Sequence, residues 1–315
     1  MKKLLIASTA LVMVAGAAAA EVKLSGDARM GAVYDSEDWN FSSRSRVQFT
    51  LSGTTDSGLE FGAKFRTSDI RNAEDPRNGN RGTVFLSGAF GKITMGDIAS
   101  ASEELFGDLA DVGYLGDDQG TAGITFAGLG TNAIPYLTLD NETTSGLMYT
   151  YSAGAFSVAA AMTDGHGYGS LAAGTFEADT QSYSVAAAYT FGNYTVGLGH
   201  EILDRDGAGL DMSQTELAGM AKFGNTDVKG YYPSAATKTR LTTAIGLSVA
   251  SFGATTVKGY VQKVDFVAAG VDSVTWYGLG ADYDLGGGAI LAAGIQDDDV
   301  DGSDPVANMG VKFKF

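Results

Sequence analysis

Residues 41–66 read FSSRSRVQFTLSGTTDSGLEFGAKFR, and apolar and polar side chains alternate along both halves of this stretch. Val47 and Leu51 fall on one face of the first half, whereas Arg44 and Arg46 fall on the other. The TDSG sequence between the halves is typical of a tight hairpin turn. Because a period of two indicates a β-strand with one apolar face, the stretch predicts two paired amphipathic strands.

The same alternation continues in both directions from this hairpin. It begins at 22–34 and ends at 307–315, and about sixteen alternating segments are joined by short turns and longer polar loops. Each segment with its connection takes roughly 18 residues, which leaves room for the ~9–11-residue strands of an outer-membrane barrel. Aromatic residues lie near many strand ends, as in the girdles of such barrels, and this favours a barrel over a soluble β-sandwich. The sequence therefore predicts an all-β fold, a 16-stranded antiparallel transmembrane β-barrel.

The N-terminus carries a different pattern. Lys2 and Lys3 precede an apolar run at 4–16, which is followed by four alanines. A basic start, a short apolar core and small residues before a cleavage point describe a secretory signal peptide. We therefore expect residues 1–20 to be a signal peptide that is removed, and residues 21–315 to form the barrel domain.

The composition limits the classes of function. Lys and Arg number 21 against 37 Asp and Glu, a formal net charge of −16. This balance argues against nucleic acid as a partner, because phosphate contacts need basic clusters. There is no cysteine, so disulfides, thiol chemistry and Cys-ligated metals are excluded. Glycine is frequent, at 44 residues, and proline is rare, at 4, which suits a large antiparallel barrel with one lipid face and one wet face.

The longest interval without alternation is 97–142, which carries no Lys or Arg. A structureless stretch of this length in a compact domain is uncommon and is often functional. Since a barrel of this size leaves an open aqueous lumen, we expect this long loop to fold inward and narrow it. The carboxylates that it would bring to the constriction are Asp97, Glu103, Glu104, Asp108, Asp111, Asp117 and Asp118.

Basic residues fall at inward positions of the first three strands, on the wall that the loop would face. They are Arg29, Arg44, Arg46, Lys64 and Arg66. Opposed across a thin layer of water, the two sets would create a transverse field that persists within a Debye length, ~8 Å at physiological salt. Polar solutes align with such a field, and the excess of carboxylate predicts a mild preference for cations.

Three features together resemble a known family: the signal peptide, the GKITMGD strand at 91–97 that leads into the acidic loop, and the terminal VKFKF at 311–315. They are similar to those of general diffusion porins of Gram-negative outer membranes, in particular the alphaproteobacterial, Rhodobacter-type group. The resemblance covers 21–315. It implies a sixteen-stranded barrel, a homotrimer, and an eyelet formed by the third extracellular loop against an arginine-bearing wall.

The resemblance also implies a calcium site and an assembly signal. Porins of this group bind calcium at carboxylates near the eyelet. The carboxylates in that position here are Asp97, Glu103, Asp108 and Asp111. The C-terminal Phe315, with Phe313 two residues before it, resembles the signal that the outer-membrane barrel assembly machinery recognises.

The sequence DDDVDG at 297–302 matches the opening of a calcium-binding loop. The bidentate Glu that such a loop needs at its twelfth position is replaced by Asn308, so a complete EF-hand is excluded. We expect at most a loose divalent-cation site, formed by Asp297, Asp299 and Asp301, that could bridge to lipopolysaccharide phosphates.

The sequence as a whole predicts a non-enzymatic outer-membrane porin for passive diffusion of small hydrophilic solutes and ions. It would need no cofactor beyond an optional calcium ion. Two alternatives stay open. A solute-specific channel would carry an aromatic or basic ladder along the lumen, and neither is evident. An outer-membrane barrel enzyme or adhesin would need a catalytic constellation or longer loops, and neither His166 nor His200 has a nucleophile motif beside it.

Overall fold

A computed structural model of the chain describes residues 21–68, 82–107, 112–115, 144–167, 180–205, 212–235, 240–266 and 272–315. The predicted signal peptide, 1–20, lies outside them. The described part contains sixteen β-strands and one short helix, α1 (Ala101–Phe106). The strands are β1 (Glu21–Tyr34), β2 (Trp39–Thr54), β3 (Glu60–Ser68), β4 (Gly82–Gly88), β5 (Gly91–Gly96), β6 (Thr144–Ala153), β7 (Phe156–Gly167), β8 (Thr180–Phe191), β9 (Tyr194–Arg205), β10 (Met212–Phe223), β11 (Thr226–Ala235), β12 (Arg240–Phe252), β13 (Thr255–Phe266), β14 (Val274–Gly286), β15 (Ala289–Asp298) and β16 (Val306–Lys314).

Every strand pairs antiparallel with its neighbours in the chain, and the first strand also pairs with the last. Asp27 of β1 lies opposite Arg46 of β2 on one side and opposite Lys314 of β16 on the other. The hydrogen-bonded order therefore returns to its start and forms a closed barrel. The predicted all-β antiparallel architecture is confirmed. Within the described residues, no helix has the length and hydropathy needed to cross a membrane.

The two faces of the strands follow the alternation of the sequence. On β1, Val22 and Leu24 are each 63% exposed on the outer face, whereas Arg29 is buried on the inner face. Successive side chains of a strand point to opposite faces, so this arrangement extends along the strand. The segments predicted at 22–34 and 41–53 correspond to β1 and β2, which begin one and two residues earlier.

Short turns join the strands at one end of the barrel. Two of them are Gly192-Asn193, between β8 and β9, and Gly224-Asn225, between β10 and β11. Gly192 and Gly224 have φ angles of 58° and 61°. A positive φ at the first central residue of a two-residue hairpin turn favours glycine, which explains the residue at both positions.

Two clusters of buried apolar side chains lie where the acidic segment meets the barrel wall. The first surrounds Ala101 and Phe106 of α1 and includes alanines of β7, β8 and β10. The second contains Val33, Tyr114, Leu115 and Ala292. The described parts of the acidic segment are therefore packed against the wall at two places, and these places define the candidate site.

Candidate functional site

The first described part of the acidic segment is the helix α1. Ser100 caps its N-terminus, because its Oγ accepts a hydrogen bond from the Glu103 amide at 3.2 Å. The Gly107 amide donates to the Glu103 carbonyl oxygen at 2.8 Å, and Gly107 ends the helix with a φ of 63°. Glu103 and Glu104 lie in the first turn, where negative charge is favourable. Two of the seven carboxylates predicted at the constriction, Glu103 and Glu104, therefore lie on a helical turn that is capped at both ends.

The helix lies on small residues of β8 and β9. The Ala101 amide donates to Oγ of Ser184 at 2.9 Å, which fixes the start of the helix. A Cβ placed on Gly197 would lie 2.1 Å from Cε1 of Phe106, and one placed on Gly199 would lie 2.1 Å from Oγ of Ser102. Only glycine at both positions lets the helix approach the wall this closely.

The other end of the helix is held by β11. Lys229 Nζ donates to the Phe106 carbonyl oxygen at 3.0 Å, and the Tyr231 hydroxyl donates to the same atom at 3.0 Å. The Tyr231 hydroxyl also donates to the Gly107 carbonyl oxygen. The last carbonyl groups of a helix lack partners within the helix, so these donors satisfy them. We call the contacts of α1 with β7–β11 the first anchor.

A buried polar cluster beneath α1 was not predicted from the sequence. Glu201 of β9 and Glu216 of β10 are both buried, and Gln214 Nε2 donates to Oε1 of Glu216 at 2.8 Å. Glu216 also lies beside Ser102 of the helix. The alternation of β9 and β10 already puts both glutamates on the inner face, so the signal was present in the sequence. Their association with α1 was not, because it depends on the packing of a loop.

The second described part of the segment is 112–115, which lies against β14–β16, β1 and β2. The Tyr114 amide donates to Oδ1 of Asn308 at 2.6 Å, and the Tyr114 hydroxyl donates to the Ser42 carbonyl oxygen at 2.7 Å. Tyr114 is 0% exposed. We call the contacts of 112–115 with these strands the second anchor.

Three of the predicted basic wall residues have partners in or near the second anchor. Arg44 and Arg46 bind one carboxylate, and Arg29 lies under residues 112–115. Asp27 accepts from Arg44 at 3.2 Å and from Arg46 at 3.0 Å. Arg29 donates to the Leu115 carbonyl oxygen. Of the other two predicted residues, Lys64 is exposed and Arg66 partly buried on β3. The alternation of β1 predicts an inward Arg29 that faces open water, whereas the loop covers it.

The two anchors put charges of opposite sign on opposite walls. In the closed order of sixteen strands, β9 lies eight strands from β1 in either direction. The helix that carries Glu103 and Glu104 packs on β7–β9, and the Asp27, Arg44 and Arg46 cluster lies on β1 and β2. Glu103 and Glu104 therefore lie on a different side of the strand order from Arg44 and Arg46, and the opposition of the two sets across the lumen stays a prediction.

The remaining predicted carboxylates divide into two groups. Asp97 is partly buried where β5 ends, and its amide donates to the Gly82 carbonyl oxygen at 2.9 Å. Asp108, Asp111, Asp117 and Asp118 lie outside the described residues. Two of the four carboxylates expected to bind calcium are thus described, Asp97 and Glu103. Across the described ranges, no group of three or more His, Asp or Glu side chains is arranged to hold a metal ion.

The aspartates of the DDDVDG sequence make local hydrogen bonds. Asp299 Oδ1 accepts from the Thr275 amide at 2.7 Å, and this bond is the main cause that lowers the pKa of Asp299 below its ordinary value of 3.8. Asp297 Oδ1 accepts from the Asp298 amide at 2.9 Å. Asp301 lies in the turn that follows. The predicted divalent-cation site of Asp297, Asp299 and Asp301 stays a prediction.

The predicted assembly signal lies at the end of the last strand, with Phe313 in β16 and Phe315 directly after it. The rings of Phe313 and Phe315 stack with centroids 6.5 Å apart. Phe315 exchanges two backbone hydrogen bonds with Gly26 of β1, at 2.9 and 3.2 Å. Its side chain is exposed, and its recognition by the assembly machinery stays a prediction.

Comparison with known proteins finds a matching family model, similar sequences and similar solved structures. A family model described as Gram-negative porin matches residues 7–303. The chain is 56% identical to a porin of Rhodobacter capsulatus, over 94% of this chain and all of that protein. It is 29% identical to a porin of Fuscovulum blasticum, again over 94% of this chain and all of the relative. A porin structure refined at 1.8 Å resolution superposes with a TM-score of 0.77 at 53% identity, covering 94% of this chain and all of the other.

Proposed function

The chain belongs to the Gram-negative porin family, and from that premise we propose that it is a general diffusion channel with a weak preference for cations. As a porin it forms a channel in the outer membrane. The proposal concerns what limits passage through that channel. We propose that the acidic segment is a third loop folded into the barrel. Its two anchored parts narrow the lumen and so limit the passage of solutes.

The outer surface of the described strands supports a transmembrane position for the barrel. Val22, Leu198 and Leu279 are each more than half exposed on the outer face. Soluble monomers rarely expose contiguous apolar surface of more than a few hundred Å². An apolar outer band with a polar interior is instead what a membrane barrel requires.

One observation carries the selectivity proposal. Glu103 and Glu104 stand on a helix against β7–β9, and Arg44 and Arg46 stand on the opposite wall. Asp27 already offsets part of the basic charge, since it bridges both arginines. Together with the formal net charge of −16, this leaves the water between the walls richer in cations than in anions.

The resemblance supports two further proposals. We propose a homotrimer, because porins of the Rhodobacter-type group are trimeric, and calcium binding at Asp97, Glu103, Asp108 and Asp111. The channel itself would be non-enzymatic: its solutes cross by passive diffusion, so no residue has to act on them chemically.

Single-channel recording in a planar bilayer under a KCl gradient tests the proposal. Purified, unheated protein should give large conductance steps and a reversal potential displaced toward that of potassium. The double variant Glu103→Gln, Glu104→Gln should move the reversal potential toward that of chloride, because it removes two charges from the constriction. The matched control, Glu37→Gln with Asp38→Asn, removes two exposed charges between β1 and β2 and should leave it unchanged.

Absence of conductance steps would contradict the channel. A reversal potential on the chloride side in the unaltered protein would contradict the cation preference. Equal shifts in the double variant and its control would mean that overall charge, and not the constriction, sets selectivity.

A further inference from the structure

The wall behind residues 112–115 carries three cations in direct register. Arg29 of β1 pairs with Arg44 of β2 on one side and with Lys312 of β16 on the other. We call these three residues the basic row. Like charges directly opposite each other on neighbouring strands repel, so the row needs compensation.

The outer two members of the basic row have carboxylate partners. Arg44 reaches Asp27 at 3.2 Å, and Lys312 reaches Asp282 at 3.1 Å. Asp282 also binds Lys258 at 2.9 Å, so a single carboxylate serves two lysines there.

The central member, Arg29, is covered by the acidic segment. It donates to the Leu115 carbonyl oxygen, and its Cζ lies 5.6 Å from the centre of the Tyr114 ring. That distance is within the range in which a cation is attracted to an aromatic face. Lys312 Nζ also lies 3.4 Å from the Gly113 carbonyl oxygen. The second anchor therefore contacts two of the three cations, and Arg29 is only 6% exposed.

Glycines in the wall let residues 112–115 approach it closely. Gly280, Gly294 and Asn308 lie in one row across β14, β15 and β16. A Cβ on Gly294 would lie 2.7 Å from both Cα and N of Gly113, and one on Gly280 would lie 2.9 Å from the same nitrogen. Because the obstacles at Gly294 are backbone atoms of Gly113, any larger residue there has to displace the segment. At Gly280 a Cβ would also lie 2.8 Å from the Ala293 carbonyl oxygen of the neighbouring strand.

We infer that residues 112–115 set the ion selectivity of the channel by covering the basic row. Tyr114, Gly280 and Gly294 then determine selectivity indirectly, because they hold these residues in position. The inference rests on the proposed function. Burial does not remove the charge of Arg29, but it keeps anions from reaching contact distance. Displacing 112–115 would widen the constriction and open the basic row to the lumen, so conductance would rise and cation preference would fall together.

The test uses Gly294→Ala in the full-length protein, with Gly219→Ala as its control. Gly219 lies on β10, where a Cβ would meet no atom within 4 Å. Gly294→Ala should give larger conductance steps and a reversal potential shifted toward that of chloride, whereas Gly219→Ala should match the unaltered channel. Tyr114→Ala, which removes the ring over Arg29 without adding bulk to the wall, should shift both quantities in the same direction and serves if Gly294→Ala does not fold.

An independent measurement reports the position of the segment without using current. Ala292 is wholly buried beside Tyr114 and Leu115, and the chain has no cysteine. In an Ala292→Cys background the single thiol should resist a water-soluble methanethiosulfonate. It should react once Gly294→Ala is added, and stay protected when Gly219→Ala is added.

The outcomes separate this inference from the proposed function. If the unaltered protein forms no channel, the proposed function fails. If it forms a channel but the thiol stays protected and the reversal potential stays constant in both Gly294→Ala and Tyr114→Ala, the inference is overturned. A thiol that becomes reactive without any shift in reversal potential would also overturn it, since the segment would then move without affecting selectivity.

Discussion

Lys229 on β11 donates from Nζ to the carbonyl oxygen of Phe106, 3.0 Å away, at the point where α1 ends. The C-terminal end of a helix carries a partial negative charge on its unpaired carbonyl groups. A cation from the barrel wall therefore meets the negative end of α1, while Glu103 and Glu104 occupy its positive end.

Lys229→Met should loosen the first anchor. A cation at a helix C-terminus contributes about 0.3–1 kcal/mol, and up to about 2 kcal/mol when partly buried. We expect a lower unfolding temperature and faster limited proteolysis between 97 and 115. The control is Lys222→Met on β10, whose side chain is 68% exposed and pairs with Asp227 at 3.7 Å, a type of pair that contributes little. Indistinguishable behaviour of the two variants would contradict a role for Lys229 at the helix end.

Gly197→Ala should destabilise the protein through the packing of Phe106. The added Cβ would lie 2.1 Å from Cε1 of that ring. Overpacking of this kind typically costs about 1–3 kcal/mol. Combining Gly197→Ala with Phe106→Leu should cost less than the sum of the two single changes, because the shorter side chain makes room. Strict additivity in denaturant unfolding would show that the two residues do not compete for space.

Asp27→Asn should move the reversal potential toward that of chloride. It leaves Arg44 and Arg46 without the carboxylate that bridges them, so the basic wall gains one net positive charge. The shift should be larger in dilute salt, since the Debye length is ~30 Å at 0.01 M and ~3 Å at 1 M. Asp227→Asn, beside the turn between β10 and β11, removes the same charge far from this cluster and should have little effect. A shift that is independent of salt would rule out the electrostatic explanation.

The loop after β15 should respond to acid only below the ordinary pKa of an aspartate. The Thr275 amide hydrogen bond lowers the pKa of Asp299 from 3.8. A depressed carboxyl pKa contributes stability that is present above the unfolded value and is lost as the pH falls through the folded value. The Thr275 amide resonance should therefore titrate with a midpoint below 3.8, and Asp299→Asn should abolish the titration. A midpoint above 3.8 would contradict the assignment.

Strand positions and faces could be predicted because they depend on local sequence. The exposure of Val22 and Leu24 and the inward position of Arg29 both follow from a period of two that is visible within eight residues. The same reasoning identified the TDSG turn at 55–58, where Gly58 has a positive φ of 82°.

The anchors could not be predicted, because they join residues far apart in sequence. Six residues are too few for a helical period to be recognised, so α1 was treated as loop. The Tyr114 amide meets Asn308 across 194 positions, and no local pattern encodes such a pairing. For the same reason Arg29 was expected to face open water, although Leu115 and Tyr114 cover it.

The position of the second anchor also indicates when it forms during assembly of the barrel. It is built from β14, β15 and β16 together with β1 and β2, on both sides of the pairing between the first and last strands. Contacts of such large sequence separation form late, because the chain between them has to be ordered first. The last strand must therefore be in place before 112–115 has a surface to bind. We therefore expect the wall to be completed during biogenesis before residues 112–115 bind it, so that a newly closed barrel would pass through a stage in which the basic row is still uncovered.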